Sequence, residues 1–296
     1  MISERISLDT KLLAVIGYPI SHSLSPLIHN KAINLINENA IYLMFDIHPS
    51  NLEKSLKSFL TLGFTGINVT IPHKEAIIPH LNHVSEEAAI IGAVNTVTIQ
   101  DGKLFGYNTD VYGIIKSLDN YKEEIKDQEV TVVGAGGASR CVIYTLIRYF
   151  NTKKINIINR NDAKAEFLKD YFVKKMNFHN IESFPLAPPD IVELLSNSKL
   201  IINTTPIGMY PNVDDSFTAI EESFNENQIV FDVIYNPFET KLLKIAASKG
   251  ARTVGGMDMF IEQAAKSYEL WLNKEFPRDI IKEFLIAKLE NQNESK

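Results

Sequence analysis

The residues with the most chemical meaning lie where strands give way to turns. Gly66-Ile-Asn68-Val-Thr70-Ile-Pro72-His73-Lys74 reads as a buried strand that turns at Pro72 and delivers Lys74 just past its carboxyl end, the edge at which open α/β sheets bind ligands. A lone lysine is usually a solvated surface residue. Here two further polar groups converge: Gly92-Ala-Val-Asn95-Thr96 brings an amide into a strand with apolar flanks, and Gly106-Tyr-Asn108-Thr109-Asp110 brings a carboxylate to a turn before a helix. An ammonium, an amide and a carboxylate at such turns can hold a small polar molecule and exchange a proton with it. Taken alone, Asp110 is equally well read as a helix N-cap.

Gly17-Tyr-Pro-Ile-Ser21-His22-Ser23-Leu-Ser25-Pro26 directly follows the first strand. Pro26 suits the first turn of the next helix, with Ser25 as its N-cap. Ser23 has no such duty, and two hydroxyls one residue apart could together bind a carboxylate or a diol. Capping and binding both stay open on these residues alone.

Val130-Thr-Val-Val-Gly134-Ala135-Gly136-Gly137-Ala138-Ser139 is a β-branched strand, a tight glycine turn and an immediate helix. A dinucleotide pyrophosphate needs this arrangement: glycine lets the backbone approach closely, and the helix N-terminus offers free N–H groups and a positive dipole. Ser139 stands where a third Gly or Ala is usual. The next strand, Ile155 to Ile158, ends in Asn159-Arg160-Asn161, without the acidic residue that an NAD-selective fold sets against the ribose hydroxyls. Arg160 could instead pair with a 2′-phosphate through its planar fork, and Lys164, one turn on, could add a second cation. The expected cofactor is NADP, with Asp162 nearby leaving room for some use of NAD.

Positioning these groups requires a wound α/β architecture. Leu12 to Ile16, Ile41 to Phe45, Gly66 to Val69, Val94 to Ile99, Val130 to Val133, Ile155 to Ile158, Leu200 to Ile202 and Ile229 to Val233 read as strands. Helix-patterned stretches lie between most of them, so the sheets should be mainly parallel. The glycine turn begins a second βαβ series after the polar stretch Tyr121 to Gln128, and two long helices follow Gly255-Gly256 with no strand between them. The expected division is a first domain of residues 1–110 and 256–296, holding four strands, around a dinucleotide-binding domain of residues 111–255.

Composition narrows the function further. With 36 acidic and 30 basic side chains among 296 residues, a net charge of −6 and no long run of either sign, a nucleic-acid surface has no electrostatic support. No apolar run is long enough to cross a bilayer and no secretory leader is legible, so the expected location is the cytoplasm. The single cysteine, Cys141, lies in an apolar helical stretch and reads as a packed thiol. His73, His80 and His83 lack a convincing ligand set for a metal and are better explained as packed or surface residues.

Ser23-Leu-Ser25-Pro26, Asn68-Val-Thr70-Ile-Pro72-His-Lys74, Gly92-Ala-Val-Asn95-Thr96, Asn108-Thr109-Asp110, Gly134-Ala-Gly136-Gly137-Ala, Asn159-Arg160 and Gln263-Ala-Ala, in this order, closely resemble the shikimate dehydrogenase family. The resemblance spans Leu12 to the Gln263 helix. It implies an N-terminal substrate domain completed by the C-terminal helices, a central Rossmann-like NADP domain, and an active site in the cleft between them. It implies that Ser23 and Ser25 hold a substrate carboxylate, that Thr70, Asn95, Asp110 and Gln263 bind ring hydroxyls, and that Lys74 and Asp110 flank the hydroxyl that is oxidised. Tyr235 matches a family tyrosine near the substrate, and Gly256 a residue at the nicotinamide end, with Val233 and Met259 lining the same pocket. Glu86 falls on a position associated with the cofactor, although an exposed glutamate at a helix start explains it as well.

The resemblance further implies a small-molecule substrate, no nucleic-acid or membrane partner, and a monomer or homodimer. Two departures stand out: the common Asn-Arg-Thr cofactor signature is Asn159-Arg160-Asn161 here, and Lys164 replaces a family arginine. A free lysine is a poor base at neutral pH, so Lys74 and Asp110 are expected to work as a coupled pair. The competing readings are a quinate/shikimate dehydrogenase using either nicotinamide, and a sensor that binds both ligands without turnover.

Overall fold

The computed structural model of the chain describes residues 6–294. Two compact units emerge, Met1–Asp110 with Ile261–Leu285, and Val111–Phe260 with Ile286–Lys296. The sequence reading returned the chain to its first domain at Gly256 and kept the remainder there. Instead, the Gly256–Leu272 helix changes unit after Phe260, and the chain from Ile286 groups with the second unit. Gly255-Gly256 marks where a helix starts, and a continuous helix carries no residue signal for the point at which its packing partners change.

The first unit is built on β1 (Lys11–Gly17), β2 (Ala40–Asp46), β3 (Phe64–Val69), β4 (His83–Val84), β5 (Thr96–Gln100) and β6 (Lys103–Tyr107), arranged β2-β1-β3-β5-β6-β4. β1 pairs in parallel with β2 and β3, whereas β5 runs antiparallel to both β3 and β6. This sheet is therefore mixed, with six strands where the sequence reading expected four. The missed hairpin has a local cause: Asp101 and Gly102, at φ 50° and 69°, form the Asp-Gly turn that joins two alternating segments. Ala14, Ile16, Phe64, Ile67, Val69 and Val97 pack with Leu52, Leu56 and Phe59 to form the core on one face.

The second unit holds β7 (Glu129–Val133), β8 (Lys154–Asn159), β9 (Ile181–Pro185), β10 (Leu200–Asn203), β11 (Ile229–Asp232) and β12 (Arg252–Val254). Their order is β12-β11-β10-β7-β8-β9, with each neighbouring pair parallel. Strand order reverses between β7 and β10, so the carboxyl ends of those two strands form the switch point at which such sheets bind ligands. Burial of both faces explains the near-continuous Val/Ile runs: Val130, Val132, Val133, Ile155, Ile157 and Ile158 are fully buried. No helix among the described residues is long and apolar enough to cross a membrane.

Beneath the first sheet lies an aromatic cluster with an ionisable member. The His29 ring stacks on Tyr42 with centroids 4.3 Å apart and also meets Trp271 and Phe276. Neither of its nitrogens has a hydrogen-bond partner among the described residues. Burial without a partner penalises the charged ring and pushes its pKa down from 6.5 to about 3. Between those values the unfolded chain binds a proton that the folded one refuses, so this contribution to stability is intact above pH 6.5 and is lost as pH falls toward 3. From pH 6.5 to pH 4 the loss should be about 3 kcal/mol. Urea unfolding of wild type and His29→Phe at the two pH values measures it: the variant should lose distinctly less stability on acidification, and parallel losses would reject the assignment.

Candidate active site

β3 ends at Val69, and the turn through Pro72 leads into a short helix, His73–Ala76, that carries Lys74. The backbone then ties this segment to its neighbour: the Val69 N–H donates to Asn95 O at 2.8 Å and the Val94 N–H to Lys74 O at 2.8 Å. Asp110 opens the helix Asp110–Leu118, and its own N–H donates to Asn108 Oδ1 at 3.1 Å. Asn108 thus takes the capping part, leaving the Asp110 carboxylate for other partners. Lys74 Nζ lies 2.5 Å from Asp110 Oδ2, and Asn95 Nδ2 donates to the other carboxylate oxygen at 2.7 Å. With side-chain exposures of 16% and 8%, the ion pair is poorly screened and its attraction exceeds that of a surface pair.

The serine loop differs from the expectation. Ser25 is the first helical residue and not the N-cap, which falls on Leu24 without a side-chain bond. Ser23 does the local work, accepting from the Ser25 N–H at 3.3 Å. Proline at the first turn shifts the start by one residue, which turns the two hydroxyls' structural roles around. Tyr42 lies behind them: burial pushes its phenol well above the ordinary pKa, opposed more weakly by a hydrogen bond with the Ser25 side chain. The retained proton is donated to Asn68 Oδ1 at 2.7 Å.

Thr70 sits at the end of β3, its N–H donating to Ile16 O at 2.9 Å. Its methyl packs over Gly17, where any Cβ would stand 2.5 Å away, so the loops after β1 and β3 can approach this closely only with glycine there. Gln263 lies on the Gly256–Leu272 helix, its carbonyl accepting from Ser267 Oγ at 3.0 Å. Ser23, Ser25, Thr70, Lys74, Asn95, Asp110 and Gln263 all belong to the first unit. Glu86 is in that unit too, exposed at the first turn of its helix behind the Ser85 cap. The glycine turn belongs to the second, so Glu86 and the turn do not share a unit.

In the second unit the glycine turn follows β7 at the switch point. Gly134 has φ +116°, and a Cβ there would meet Thr204 Oγ1 at 2.4 Å, so both backbone and space require glycine. A Cβ on Gly136 would meet nothing within 4 Å: the space over the turn is open, as a pyrophosphate resting on it needs. Ser139, in the usual glycine position, accepts from the Gly136 N–H at 3.1 Å and bonds Thr204 Oγ1 at 2.7 Å, bracing turn against strand. The other first-turn N–H groups have no intrahelical acceptor by geometry.

Asn159 ends β8 and donates to Asn161 O at 2.8 Å, while Asn161 Oδ1 caps the next helix at the Lys164 N–H, 3.0 Å away. Arg160 and Lys164 are both exposed on this rim. Around β11, the Gly256 N–H donates to Ile234 O at 3.1 Å, and a Cβ on Gly256 would lie 2.2 Å from Val233 O. Tyr235 stacks on Phe260 at 4.2 Å, and Met259 is buried in the same helix turn. Val233, Tyr235 and Gly256 are thus brought together in the second unit.

Sequence reasoning missed the loop that follows β10. Asn203-Thr204-Thr205-Pro206 is a polar run at the carboxyl end of a fully buried strand, which was the available signal. Asn203 Nδ2 donates to Asp232 Oδ1 at 3.1 Å, and Thr240 Oγ1 to Asp232 Oδ2 at 2.7 Å. Burial raises the Asp232 carboxyl to about 6 despite these bonds. Tyr42 and Ser267 were also missed. Among the histidines, His73 contacts Ile47 O at 2.7 Å through Nε2, and His83 stacks on Phe105.

Comparison with known proteins places these features in a family. The chain matches models of the shikimate dehydrogenase substrate binding domain over residues 15–97, shikimate / quinate 5-dehydrogenase over 117–235, and the shikimate 5′-dehydrogenase C-terminal domain over 256–284. Shikimate dehydrogenase (NADP(+)) of Caldanaerobacter subterraneus subsp. tengcongensis is 41% identical, covering 94% of this chain and 98% of the relative. A crystal structure of a shikimate dehydrogenase in complex with NADP+ superposes with a TM-score of 0.88 at 38% identity, covering 96% of this chain and 97% of the other. The Listeria monocytogenes shikimate 5-dehydrogenase, in complex with shikimate and NAD, superposes at 0.85 with 33% identity, covering 95% and 98%.

Proposed function

The chain belongs to the shikimate dehydrogenase family, and from that premise we infer that it is an NADP-dependent oxidoreductase interconverting 3-dehydroshikimate and shikimate in aromatic amino acid biosynthesis. The observation that carries the reading is the Lys74–Asp110 pair at 2.5 Å, its carboxylate held by Asn95. Residues 1–110 with the Gln263 helix form the substrate domain in this reading, and the glycine-turn unit holds the nucleotide. The protein acts in the cytoplasm as a monomer or homodimer.

When bound, NADPH would supply the hydride for the carbonyl carbon, and the residues of this chain manage the proton. Lys74 Nζ faces the carbonyl oxygen, stabilises the charge that develops there and donates a proton to it; in the oxidative direction it takes the proton back. Asp110 orients the ammonium and binds the same hydroxyl. Ser23 and Ser25 anchor the carboxylate, while Thr70, Asn95 and Gln263 bind ring hydroxyls and set which carbon reacts. The fit of the second unit to the nucleotide rests on the open space above Gly136, with Gly134, Ala135, Gly137 and Ala138 cradling the pyrophosphate. Asn159, Arg160 and Lys164 would hold the adenosine ribose and its phosphate, and Val233, Tyr235 and Gly256 would serve the nicotinamide end.

Purified protein assayed by nicotinamide absorbance with shikimate or quinate, each with NADP or NAD, tests the assignment. Shikimate with NADP should be the fastest combination. Quinate oxidised at a comparable rate would move the chain to the quinate/shikimate branch, and ligand binding without turnover would make it a sensor.

A further inference from the structure

Below Asp110 one donor is unambiguous, although Thr96 Oγ1 at 2.9 Å and Thr109 Oγ1 at 3.2 Å also lie within reach of the Asn95 amide oxygen. The backbone N–H of Thr109 can only donate, and it points at Asn95 Oδ1 from 2.7 Å. That fixes which end of the Asn95 amide is oxygen. Its NH2 therefore faces Thr109 Oγ1 at 3.0 Å and Asp110 Oδ1 at 2.7 Å. Thr109 thus clasps the amide from both sides, with a backbone donor on the oxygen and a hydroxyl acceptor on the nitrogen.

The hydroxyl is itself held in place. Thr109 Oγ1 lies 3.1 Å from Thr96 Oγ1 and 3.0 Å from Ser267 Oγ, which are 2.8 Å from one another, so the three close a ring. Asn68 Nδ2 donates into the ring at Thr96 and Ser267, and the ring's outlet is the Gln263 carbonyl. Thr96 and Ser267 are fully buried and Thr109 is 3% exposed, so no water competes for these bonds. Asn95 would be free to turn its amide over only by presenting its oxygen to the Asp110 carboxylate and its NH2 to the Thr109 N–H, both repulsive.

We propose that Thr109 is a positioning residue for the reaction: its hydroxyl, set by the ring with Thr96 and Ser267, holds the Asn95 amide and through it the Asp110 carboxylate that faces Lys74. The proposal rests on the assignment made above. Thr109 touches none of the reacting atoms, and its effect runs through Asn95. Thr109→Val keeps the shape and removes the hydroxyl, while Thr109→Ser keeps the hydroxyl.

Steady-state kinetics with shikimate and NADP should show kcat about 10-fold lower in Thr109→Val, from loosened placement of the acid–base pair, with the KM for NADP within about two-fold. Thr109→Ser should return to within about two-fold of wild-type kcat. In an Asn95→Ala background, adding Thr109→Val should change kcat less than about two-fold, because the residue through which it acts is gone. Should Thr109→Val not fold, Ser267→Ala opens the same ring and should show the same dependence on Asn95. Wild-type kcat in Thr109→Val, equal losses with and without Asn95, or a serine variant as slow as the valine one would each overturn the proposal. Wild-type turnover in the same assay separates the two readings: an inactive wild type fails the family assignment and this proposal with it, whereas an active wild type with an unaffected Thr109→Val fails Thr109 alone.

Discussion

Lys74→Ala should lower turnover of shikimate by about 10²-fold or more, the scale of a lost general acid–base group, with a smaller change in the KM for shikimate. The geometry sets this split. Lys74 stands on the short helix His73–Ala76, whose backbone is tied to the segment before β5 by the bond from the Val94 N–H to Lys74 O, so alanine removes the ammonium without moving Asn95 or Asp110. In the proposed assignment, the serine, threonine, asparagine and glutamine groups that would bind the substrate remain, and they would carry ground-state binding. What disappears is the charge opposite the developing alkoxide, which matters only as the transition state is approached. Asp110 keeps its bond from Asn95 but loses the cation 2.5 Å away, so some loss of stability should accompany the kinetic one. Circular dichroism separates the two effects. A folded variant with near-normal turnover would remove Lys74 from the mechanism.

Arg160→Ala should raise the KM for NADP about 10- to 100-fold, the range for one or two hydrogen bonds to a charged group, and leave the KM for NAD within about two-fold. Arg160 stands exposed just past the end of β8, where the proposed function sets the ribose edge of the nucleotide. Its side chain makes no hydrogen bond or ion pair among the described residues, so truncation should leave the fold and melting temperature unchanged. Discrimination arises because only NADP carries the phosphate that the planar guanidinium can grip with two donors. Lys164→Ala, removing a flexible point charge one turn further on, should give a smaller shift in the same direction. Equal losses for both nucleotides would reject Arg160 as the phosphate reader.

Much of the site is legible because its parts occupy places with local signatures. Lys74 follows β3, Asn95 immediately precedes β5 and Asp110 opens a helix, places where turn residues such as Pro72 and Asn108 announce the change of element. The glycine turn is legible for the same reason: φ +116° at Gly134 leaves a mark that no other residue type would leave. Ser23 and Ser25 show the limit. Their loop was found, yet which hydroxyl serves the backbone depended on a one-residue difference in helix start, below the resolution of capping preferences. The β5–β6 hairpin shows another: its Asp101-Gly102 turn stands in the sequence, but its strands read as one segment and a loop.

Residue order alone therefore determined the alternation of elements, the nucleotide turn, the cationic rim at Arg160 and the polar groups at the strand ends, because patterning and turn chemistry repeat over a few residues. The tertiary structure decided what those groups meet. Ser267 closes a ring with Thr96 from 171 positions away, and Tyr42 reaches Asn68 from 26. A hydrogen bond needs two atoms within about 3 Å and correctly aimed, a condition on space that imposes no period on the chain. For that reason the polar groups that form the Lys74–Asp110 pair could be anticipated from their neighbours in sequence, while the buried framework beneath them became visible only once the chain had folded.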